Sequence, residues 1–331
     1  MRRPAARAAA LACLCCLAIS SSLAEDPAGA IGAPPMETAA EKFAAANADA
    51  PTAPPPLSPA DAATALSRVA QITLVRHGEH AHLGSEGTPC LSEVGVARAG
   101  ALAAWARDPP RGLLARVDAV VAMNGTTGDP PSVRPINSAV PTVVAFRVPP
   151  GRFVRAWSQW DSLAAARAVL DQGAAPPPTG RASDGSAVLV VWFHWGLVAV
   201  LNALGVPTTG WNAQSLDDAT SEAYNAAVVL TPHGVPRLGD GPNGTRVVLA
   251  DADPRAGVRV RLYRTPPIDK TSLLSPSPDP GKDAVLFEET VPWAVVARQA
   301  GSVVRVVPAS ETTAGGRAPV VVERAEPESQ L

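Results

Sequence analysis

Short apolar runs alternate with amphipathic segments through the middle of the chain. Apolar runs bounded by polar residues predict buried strands over residues 71–75, 117–123, 188–193 and 226–231. Helical spacing predicts helices over residues 92–106, 132–139, 158–171 and 197–204, with Ser92, Ser132 and Ser158 as the first three N-caps. Because strands and helices alternate, the pattern indicates an α/β fold, a three-layer sandwich in which helices flank a mostly parallel sheet.

The later part of the chain has a weaker pattern. Residues 246–250 and 258–263 predict a hairpin or a sheet edge, and residues 285–307 favour strand without a defined position. His233, in the segment TPHGVP, is predicted to be a turn residue.

The uncharged run over residues 187–206 is long enough to cross a membrane. Its first half is rich in β-branched and aromatic residues, and Gly196 interrupts it. Its second half has helical character and stops at Gly205. We interpret the run as a buried strand, a turn carrying His194 and a helix, so no membrane span is expected in the mature chain.

Composition sets the domain boundaries. Of 331 residues, 47% are hydrophobic and 18% are charged, which is enough apolar sequence for a sizeable core. Proline-rich and alanine-rich sequence predicts a disordered linker over residues 25–66 and a loose C-terminal extension over residues 264–331, leaving a domain over residues 67–263. A net charge of −2 argues against nucleic-acid binding.

The N-terminus predicts secretion. Arginines, a short apolar run and small residues before Glu25 are typical of a signal peptide over residues 1–24, and an organelle transit peptide is the alternative. Cys90 would be the sole cysteine after cleavage, so no internal disulfide is expected. Two glycosylation sequons, which begin at Asn124 and Asn243, agree with secretion.

Residues that bind anions follow the predicted strands. Arg76 and His77 come directly after the first strand, Arg134 lies at the start of the helix after the second, and His194 follows a later strand. Ligands of open α/β sheets bind beyond the carboxyl ends of the strands, so these side chains should converge. Two histidines and two arginines around one pocket suit a phosphoryl group.

Four segments resemble the histidine phosphatase superfamily, which has the phosphoglycerate-mutase-like fold. LVRHGE over residues 74–79 looks like the signature around the phosphorylated histidine, and LSEVGVARAGALA over residues 91–103 is similar to the following helix. SVRPINSA over residues 132–139 resembles the segment whose arginine enters the phosphate pocket. VLVVWFHWG over residues 188–196 resembles the strand carrying the second catalytic histidine.

The resemblance implies a phosphatase acting on a small phosphorylated substrate without a cofactor. His77 would be the nucleophile, while Arg76, Arg134 and His194 would hold the phosphoryl oxygens. One branch of the family places an acid directly after the second histidine, where this chain has Trp195. Asp161 lies where the mutase-like branch has its acid, and a solvated residue in the first helical turn is the alternative interpretation.

The same part of the sequence also suggests two other functions, a metal site and a binding protein without catalysis. A metal site could be formed by His77, His80, His82 and Cys90, but their spacing lacks a tight ligand pair, so no metal is expected. A secreted protein of the same fold that binds phosphorylated or anionic ligands without turnover is the alternative to an enzyme. Trp195 in place of an acid favours the binding protein, whereas Arg76, His77, Arg134 and His194 together favour the enzyme.

Overall fold

The fold is described here from a computed structural model. The structure describes residues 57–79, 90–105, 116–124, 132–156, 161–178, 185–208, 226–249, 253–264, 285–300, 303–306 and 320–323. The predicted signal peptide and most of the predicted linker lie outside these residues.

The described helices are α1 (Pro59–Ser67), α2 (Glu93–Trp105), α3 (Arg134–Phe146), α4 (Ser162–Ala174), α5 (His194–Ala203) and α6 (Trp293–Gln299). The strands are β1 (Gln71–Arg76), β2 (Ala119–Met123), β3 (Phe153–Ala156), β4 (Ala187–Trp192), β5 (Ala226–His233), β6 (Leu238–Asp240), β7 (Arg246–Val248), β8 (Gly257–Arg264), β9 (Val285–Pro292), β10 (Val303–Val306) and β11 (Val320–Glu323).

Seven strands form the central sheet in the order β3-β2-β4-β1-β5-β8-β9. The first four are parallel and their carboxyl ends meet at one edge; β1, β2 and β4 were predicted as strands of such a sheet, and β3 was not. β5, β8 and β9 continue the sheet with antiparallel pairing. The antiparallel half lacks the βαβ repeat, so its pairing was not visible in the sequence pattern.

Helices cover both faces of the sheet, which confirms the three-layer sandwich. One apolar cluster joins Leu66 of α1, Val169 of α4, Leu201 of α5 and Trp293 of α6 to the first face. The second cluster joins Leu102 of α2 and Ala139 of α3 to the opposite face, and Val143 and Phe146 of α3 pack against it. Strands β1, β2 and β4 are buried along nearly their whole length, which explains their continuous apolar sequence.

Several predicted helix boundaries differ from the observed ones. The helix predicted to begin at Ser158 begins at Ser162, and Ser158 itself lies outside the described residues. Helix α3 continues through Pro141 to Phe146, where Arg147 in the left-handed conformation ends it. The turn predicted at His194 is wrong, because α5 begins at that residue and only Phe193 separates it from β4.

The uncharged run over residues 187–206 is divided between a strand and a helix, β4 and α5, as interpreted from its sequence. Among the described helices, none is both long enough and apolar enough to cross a membrane.

The linker prediction is wrong at its C-terminal end. Residues Pro59–Ser67 form a helix. Its N-cap is Ser58, whose Oγ accepts a hydrogen bond from the Asp61 amide. Ala63 and Leu66 of this helix are buried in the core. The signal was a capping serine followed by proline at the first helical position, which the proline-rich composition obscured.

The C-terminal boundary also differs from the expectation. Strand β9 pairs with β8 along the edge of the sheet, and Trp293 and Val296 of α6 are fully buried in the first cluster. Residues 285–300 therefore belong to the same core as the domain predicted over residues 67–263. Strands β10 and β11 pair with each other.

The predicted hairpin of residues 246–250 with residues 258–263 does not form. β7 pairs with β6 in a small separate ribbon, and β8 pairs with β5 and β9. Residues 239–244, in β6 and the loop that leads to β7, match the spacing G-x-G-x-x-G. Dinucleotide sites place that pattern between a strand and a helix, so its position in a hairpin argues against nucleotide binding.

Candidate active site

The candidate site is built where β1 and β4 end side by side. Arg76 is in register with Trp192, and the His77 amide donates a hydrogen bond to the Trp192 carbonyl over 3.1 Å. The parallel pairing therefore brings the segment after β1 next to Phe193 and the start of α5. His77 therefore lies beside the segment that follows β4, at the edge of the sheet where ligands of such folds bind.

His77 is almost completely buried, with 1% of its surface exposed. Its Nδ1 lies 2.7 Å from the carbonyl oxygen of Gly78. A carbonyl can only accept a hydrogen bond, so Nδ1 carries the proton in this arrangement. In the neutral ring Nε2 then holds the lone pair, which makes Nε2 the atom able to act as a nucleophile.

Helix α3 supplies the second part of the site. Arg134 is its first residue, and Arg134 Nε donates to Ser132 Oγ over 2.8 Å. One turn further along, Ser138 Oγ accepts a hydrogen bond of 2.8 Å from the Gly78 amide. The helix is thus fixed to the segment that carries His77, and its first turn is placed beside that histidine.

Phe193 connects the two parts. Its ring packs against the ring of His77 with 4.7 Å between centroids and an interplanar angle of 65°. The Arg134 guanidinium carbon lies 5.4 Å from the centre of the same ring. Phe193 therefore touches both the proposed nucleophile and the nearby cation, a position that sequence analysis did not assign to it.

A buried ion pair holds the segment after His77 against α2. Glu79 Oε1 and Oε2 both accept from Arg98 Nε at 2.9 Å, and Arg98 Nη2 also contacts Oε1. Only 8% of the Arg98 side chain and 18% of the Glu79 side chain are exposed. Arg98 was missed because its helix was interpreted from its apolar residues alone; the one charge on the buried face was the available signal.

Ser92 ties the same segment to the start of α2. The Ser92 amide and hydroxyl both donate to the Glu79 carbonyl, over 2.8 and 3.2 Å. Ser92 Oγ in turn accepts from the Gly95 amide over 3.1 Å, which confirms the predicted capping serine. Helix α2 therefore acts as a support for residues 77–79.

The other predicted site residues lie at the same edge of the sheet. Arg76 ends β1 and is 7% exposed, and alternation along the strand puts it on the face shared by Ile72 and Leu74. His194 begins α5 immediately after Phe193. Asp161 precedes α4 with an exposed side chain, beyond the carboxyl end of β3. Their roles in catalysis stay predictions.

Residues predicted for the alternative metal site are only partly described. His80 and His82 lie outside the described residues, and Cys90 is a half-buried free thiol. Within the described ranges, no group of three or more histidine, cysteine, aspartate or glutamate side chains is arranged to hold a metal ion. His233 is the last residue of β5 rather than a turn residue, because the strand continues through it and ends before Gly234.

His233 is half-buried at the end of β5, in the antiparallel half of the sheet. Its pKa is lowered from the usual 6.5, because burial disfavours the charged ring and because Arg259 and Arg261 repel it. Arg261 itself donates to both carboxylate oxygens of Glu288, and this hydrogen bond holds the pKa of Glu288 below its ordinary value.

Comparison with known proteins gives structural neighbours only. No protein-family model matches the sequence, and no curated protein matches it. The chain is similar to a protein assigned as the phosphohistidine phosphatase SixA from Agrobacterium tumefaciens, with 16% identity, a TM-score of 0.33 and coverage of 49% of this chain and 91% of that chain.

Two further structures give comparable values. A SixA protein from Nakamurella multipartitia has 20% identity, a TM-score of 0.29 and coverage of 50% of this chain and 86% of its own. The protein histidine phosphatase SixA complexed with tungstate has 12% identity, a TM-score of 0.32 and coverage of 54% and 94%. The assignment of an α/β fold to this chain rests on its own strand order and not on these similarities.

Proposed function

We propose that this chain is a phosphomonoester hydrolase that forms a phosphohistidine at His77. The observation that carries the proposal is the buried His77 ring, whose Nδ1 is hydrogen-bonded to the Gly78 carbonyl at the end of β1. That hydrogen bond leaves Nε2 as the nucleophile and fixes the plane of the ring. Binding and transfer of a phosphoryl group at this edge agree with the nearby guanidinium of Arg134.

The reaction consists of two displacements at phosphorus. The lone pair on His77 Nε2 forms a bond to phosphorus while the bond to the ester oxygen breaks, and the leaving oxygen takes up a proton. Water then attacks the phosphohistidine, the P–N bond breaks, and inorganic phosphate leaves with the ring restored. Asp161 is the proposed donor of the first proton and the acceptor from water in the second step.

Positive charge assists both displacements. Arg76, Arg134 and His194 are proposed to hold the three peripheral phosphoryl oxygens, on which negative charge is concentrated. The nearby carboxylate of Glu79 is neutralised by Arg98 through two hydrogen bonds, so it would repel the substrate less than a lone carboxylate would. No cofactor and no metal ion takes part in this scheme.

The test is a panel of phosphate esters hydrolysed by the chain beginning at Glu25. We expect turnover that is abolished in His77→Ala and kept in His233→Asn, a matched histidine substitution on the antiparallel half of the sheet. Rapid quenching with labelled substrate should trap a protein adduct that acid cleaves and base does not. A chelator should leave the rate unchanged. Activity retained by His77→Ala, with no label trapped, would contradict the proposal.

A binding protein of the same fold is the second candidate, because Trp195 stands where one branch of the family has its acid. This candidate predicts that the wild-type chain binds orthovanadate but hydrolyses none of the esters. The Arg134→Ala variant would then lose affinity, since a binding site for anions still needs the cation.

We further propose that residues 1–24 direct the chain into the secretory pathway and are removed before Glu25. The proposal rests on the short apolar run and the small residues that precede Glu25. Sequencing the N-terminus of the native protein tests it. A first residue near Glu25 is expected, whereas a chain starting at Met1 would contradict it.

A further inference from the structure

We infer that Phe193 is a positioning residue that holds the His77 ring and the Arg134 guanidinium as one unit. The inference rests on the proposed function, because it concerns the same site. It starts from the two contacts made by one phenyl ring, with the His77 ring at 4.7 Å and with the Arg134 guanidinium carbon at 5.4 Å.

The backbone fixes where this ring can lie. Phe193 is the single residue between β4 and α5, with extended dihedral angles at the helix N-cap position. β4 is paired with both β1 and β2, so the β4 end of the connection cannot shift without breaking sheet hydrogen bonds. The side chain is half-buried, and the ring is therefore a fixed surface for the two groups that touch it.

The contact with Arg134 is suited to a group that must also bind an anion. An aromatic face attracts a guanidinium through its π electrons and uses none of the N–H donors. Ser132 fixes the Nε side of the same guanidinium by a hydrogen bond of 2.8 Å. The Phe193 ring and the Ser132 hydroxyl thus orient the Arg134 guanidinium. Because the same ring also contacts His77, it sets the distance between the guanidinium and the His77 ring.

The test measures orthovanadate binding to the full chain, because this probe needs no turnover. Loss of a cation–π contact should weaken binding by about 3- to 30-fold in Phe193→Leu. Phe193→Tyr keeps the ring and should stay within about 2-fold of the wild type. Phe193→Met provides a second ring-free variant if the leucine variant does not fold.

A double-mutant cycle separates positioning from a general structural effect. In the Arg134→Ala background, Phe193→Leu should weaken vanadate binding by a smaller factor than in the wild-type chain, because one of the two groups that Phe193 positions is gone. The His77 ring protons should also lose the ring-current shift from Phe193 in the NMR spectrum of the leucine variant. Additive effects of the two substitutions, or equal affinity of leucine and wild-type chains, would overturn the inference.

The outcomes for Phe193 and for the proposed enzyme can be told apart. Coupled vanadate binding without hydrolysis would support the role of Phe193 and count against the hydrolase. Hydrolysis through labelled His77, with no coupling between Phe193 and Arg134 in vanadate binding, would support the hydrolase and count against the role of Phe193. A wild-type chain that does not bind vanadate overturns the positioning role, and it overturns the hydrolase only if no label is trapped either.

A separate observation concerns the two sequons: we propose that Asn243 is N-glycosylated and that Asn124 is not. Asn243 lies in the exposed loop that closes the β6–β7 hairpin, in the left-handed conformation, and Thr245 beside it is exposed. Thr245 Oγ1 donates to the Pro242 carbonyl over 2.7 Å, which keeps the sequon in a tight turn. A side chain built on Gly244 would meet open space.

Asn124 has the opposite surroundings. It is half-buried and directly follows β2, at the sheet edge where the candidate site lies. A glycan on Asn124 would have to extend from a half-buried position at the edge of the central sheet. A glycan on Asn243 would project from a hairpin outside that sheet. The proposal rests on the secretory route, since N-glycans are added only there.

The test is expression of the full chain in a eukaryotic cell, followed by digestion with an N-glycosidase. One removable glycan is expected, lost in Asn243→Gln and Thr245→Ala but kept in Thr245→Ser and Asn124→Gln. A second chain, with residues 1–24 replaced by the leader of a known secreted protein, separates a failed leader from a failed site. Secreted chain without a glycan, or a glycan lost with Asn124→Gln, would overturn the proposal.

Discussion

Gly78 and Gly95 meet backbone to backbone, with no room for a side chain on either. A Cβ atom on Gly78 would lie 2.7 Å from the Gly95 carbonyl oxygen, and a Cβ atom on Gly95 would collide with the Glu79 carbonyl. The contact lets α2 approach the segment after His77 closely enough for the Glu79–Arg98 ion pair to form. The glycines thus connect the support helix to the proposed nucleophile.

Gly95→Ala is therefore expected to displace residues 77–79, whereas Gly100→Ala should not. Both glycines lie in α2, but a Cβ on Gly100 meets nothing within 4 Å. The alanine at 100 should raise the free energy of unfolding by about 0.5–1 kcal/mol through helix propensity, with hydrolysis unchanged. The alanine at 95 should lower both stability and the rate of hydrolysis. Urea unfolding and a phosphatase assay on the two variants provide the measurement, and equal behaviour would count against the close contact.

Arg98→Met is expected to cost far more stability than Arg167→Ala. The first variant leaves Glu79 largely buried without its cation, which typically costs about 3–5 kcal/mol. The second removes an exposed pair with Asp171 one helical turn away, for which about 0.3–0.5 kcal/mol is typical. Urea titration of both variants compares the two losses directly.

The double variant Arg98→Met with Glu79→Leu is the control for this pair. Because it removes both charges, it should regain most of the stability that Arg98→Met loses. A double variant as unstable as the single one would show that packing of the arginine stem, rather than the charge on Glu79, causes the loss.

His233 should make the folded state less stable in mild acid. Its folded pKa lies below the unfolded value of 6.5, so the unfolded chain binds a proton first as the pH falls. The free energy of unfolding should decrease as the pH falls through 6.5 and level off below the folded pKa. His233→Asn removes this contribution, so the stability difference between the variant and the wild type should change between pH 7.5 and pH 5.5. A difference that is the same at both pH values would contradict the assignment.

A chain ending after Tyr263 should fail to fold, although the sequence alone favoured a loose extension over residues 264–331. The truncation removes β9, so β8 loses its partner on one side and becomes the edge of the sheet. It also removes the fully buried Trp293 and Val296 from the core. Trp293→Ala in the full chain should by itself cost about 3–5 kcal/mol. Val285→Ala, at an exposed position in β9, is the control and should cost little. Circular dichroism and solubility of the shorter chain test this, and a soluble, cooperatively unfolding product would contradict it.

Strands β1, β2 and β4 of the parallel half could be predicted from sequence because they are buried on both faces, whereas the short, partly exposed β3 was not predicted. Burial on two faces forces continuous apolar runs in β1, β2 and β4, and the helices between them have the matching period. The positions of Arg76, His77, Arg134 and His194 at strand and helix ends follow from that alternation alone. The residues around the proposed nucleophile were thus located by local pattern, before any tertiary contact was known.

What only the tertiary structure decided depends on partners distant in sequence. The pairing of β8 with β5 and β9 joins segments of ordinary alternating sequence, and nothing local distinguishes that pairing from a separate hairpin. Burial of Arg98 is visible only once Glu79 is placed against it, and Phe193 acquires its two contacts only when β1 and β4 lie side by side and α3 reaches the same edge. Local chemistry therefore determined which residues end each element, and the packing of the elements decided which of those residues touch.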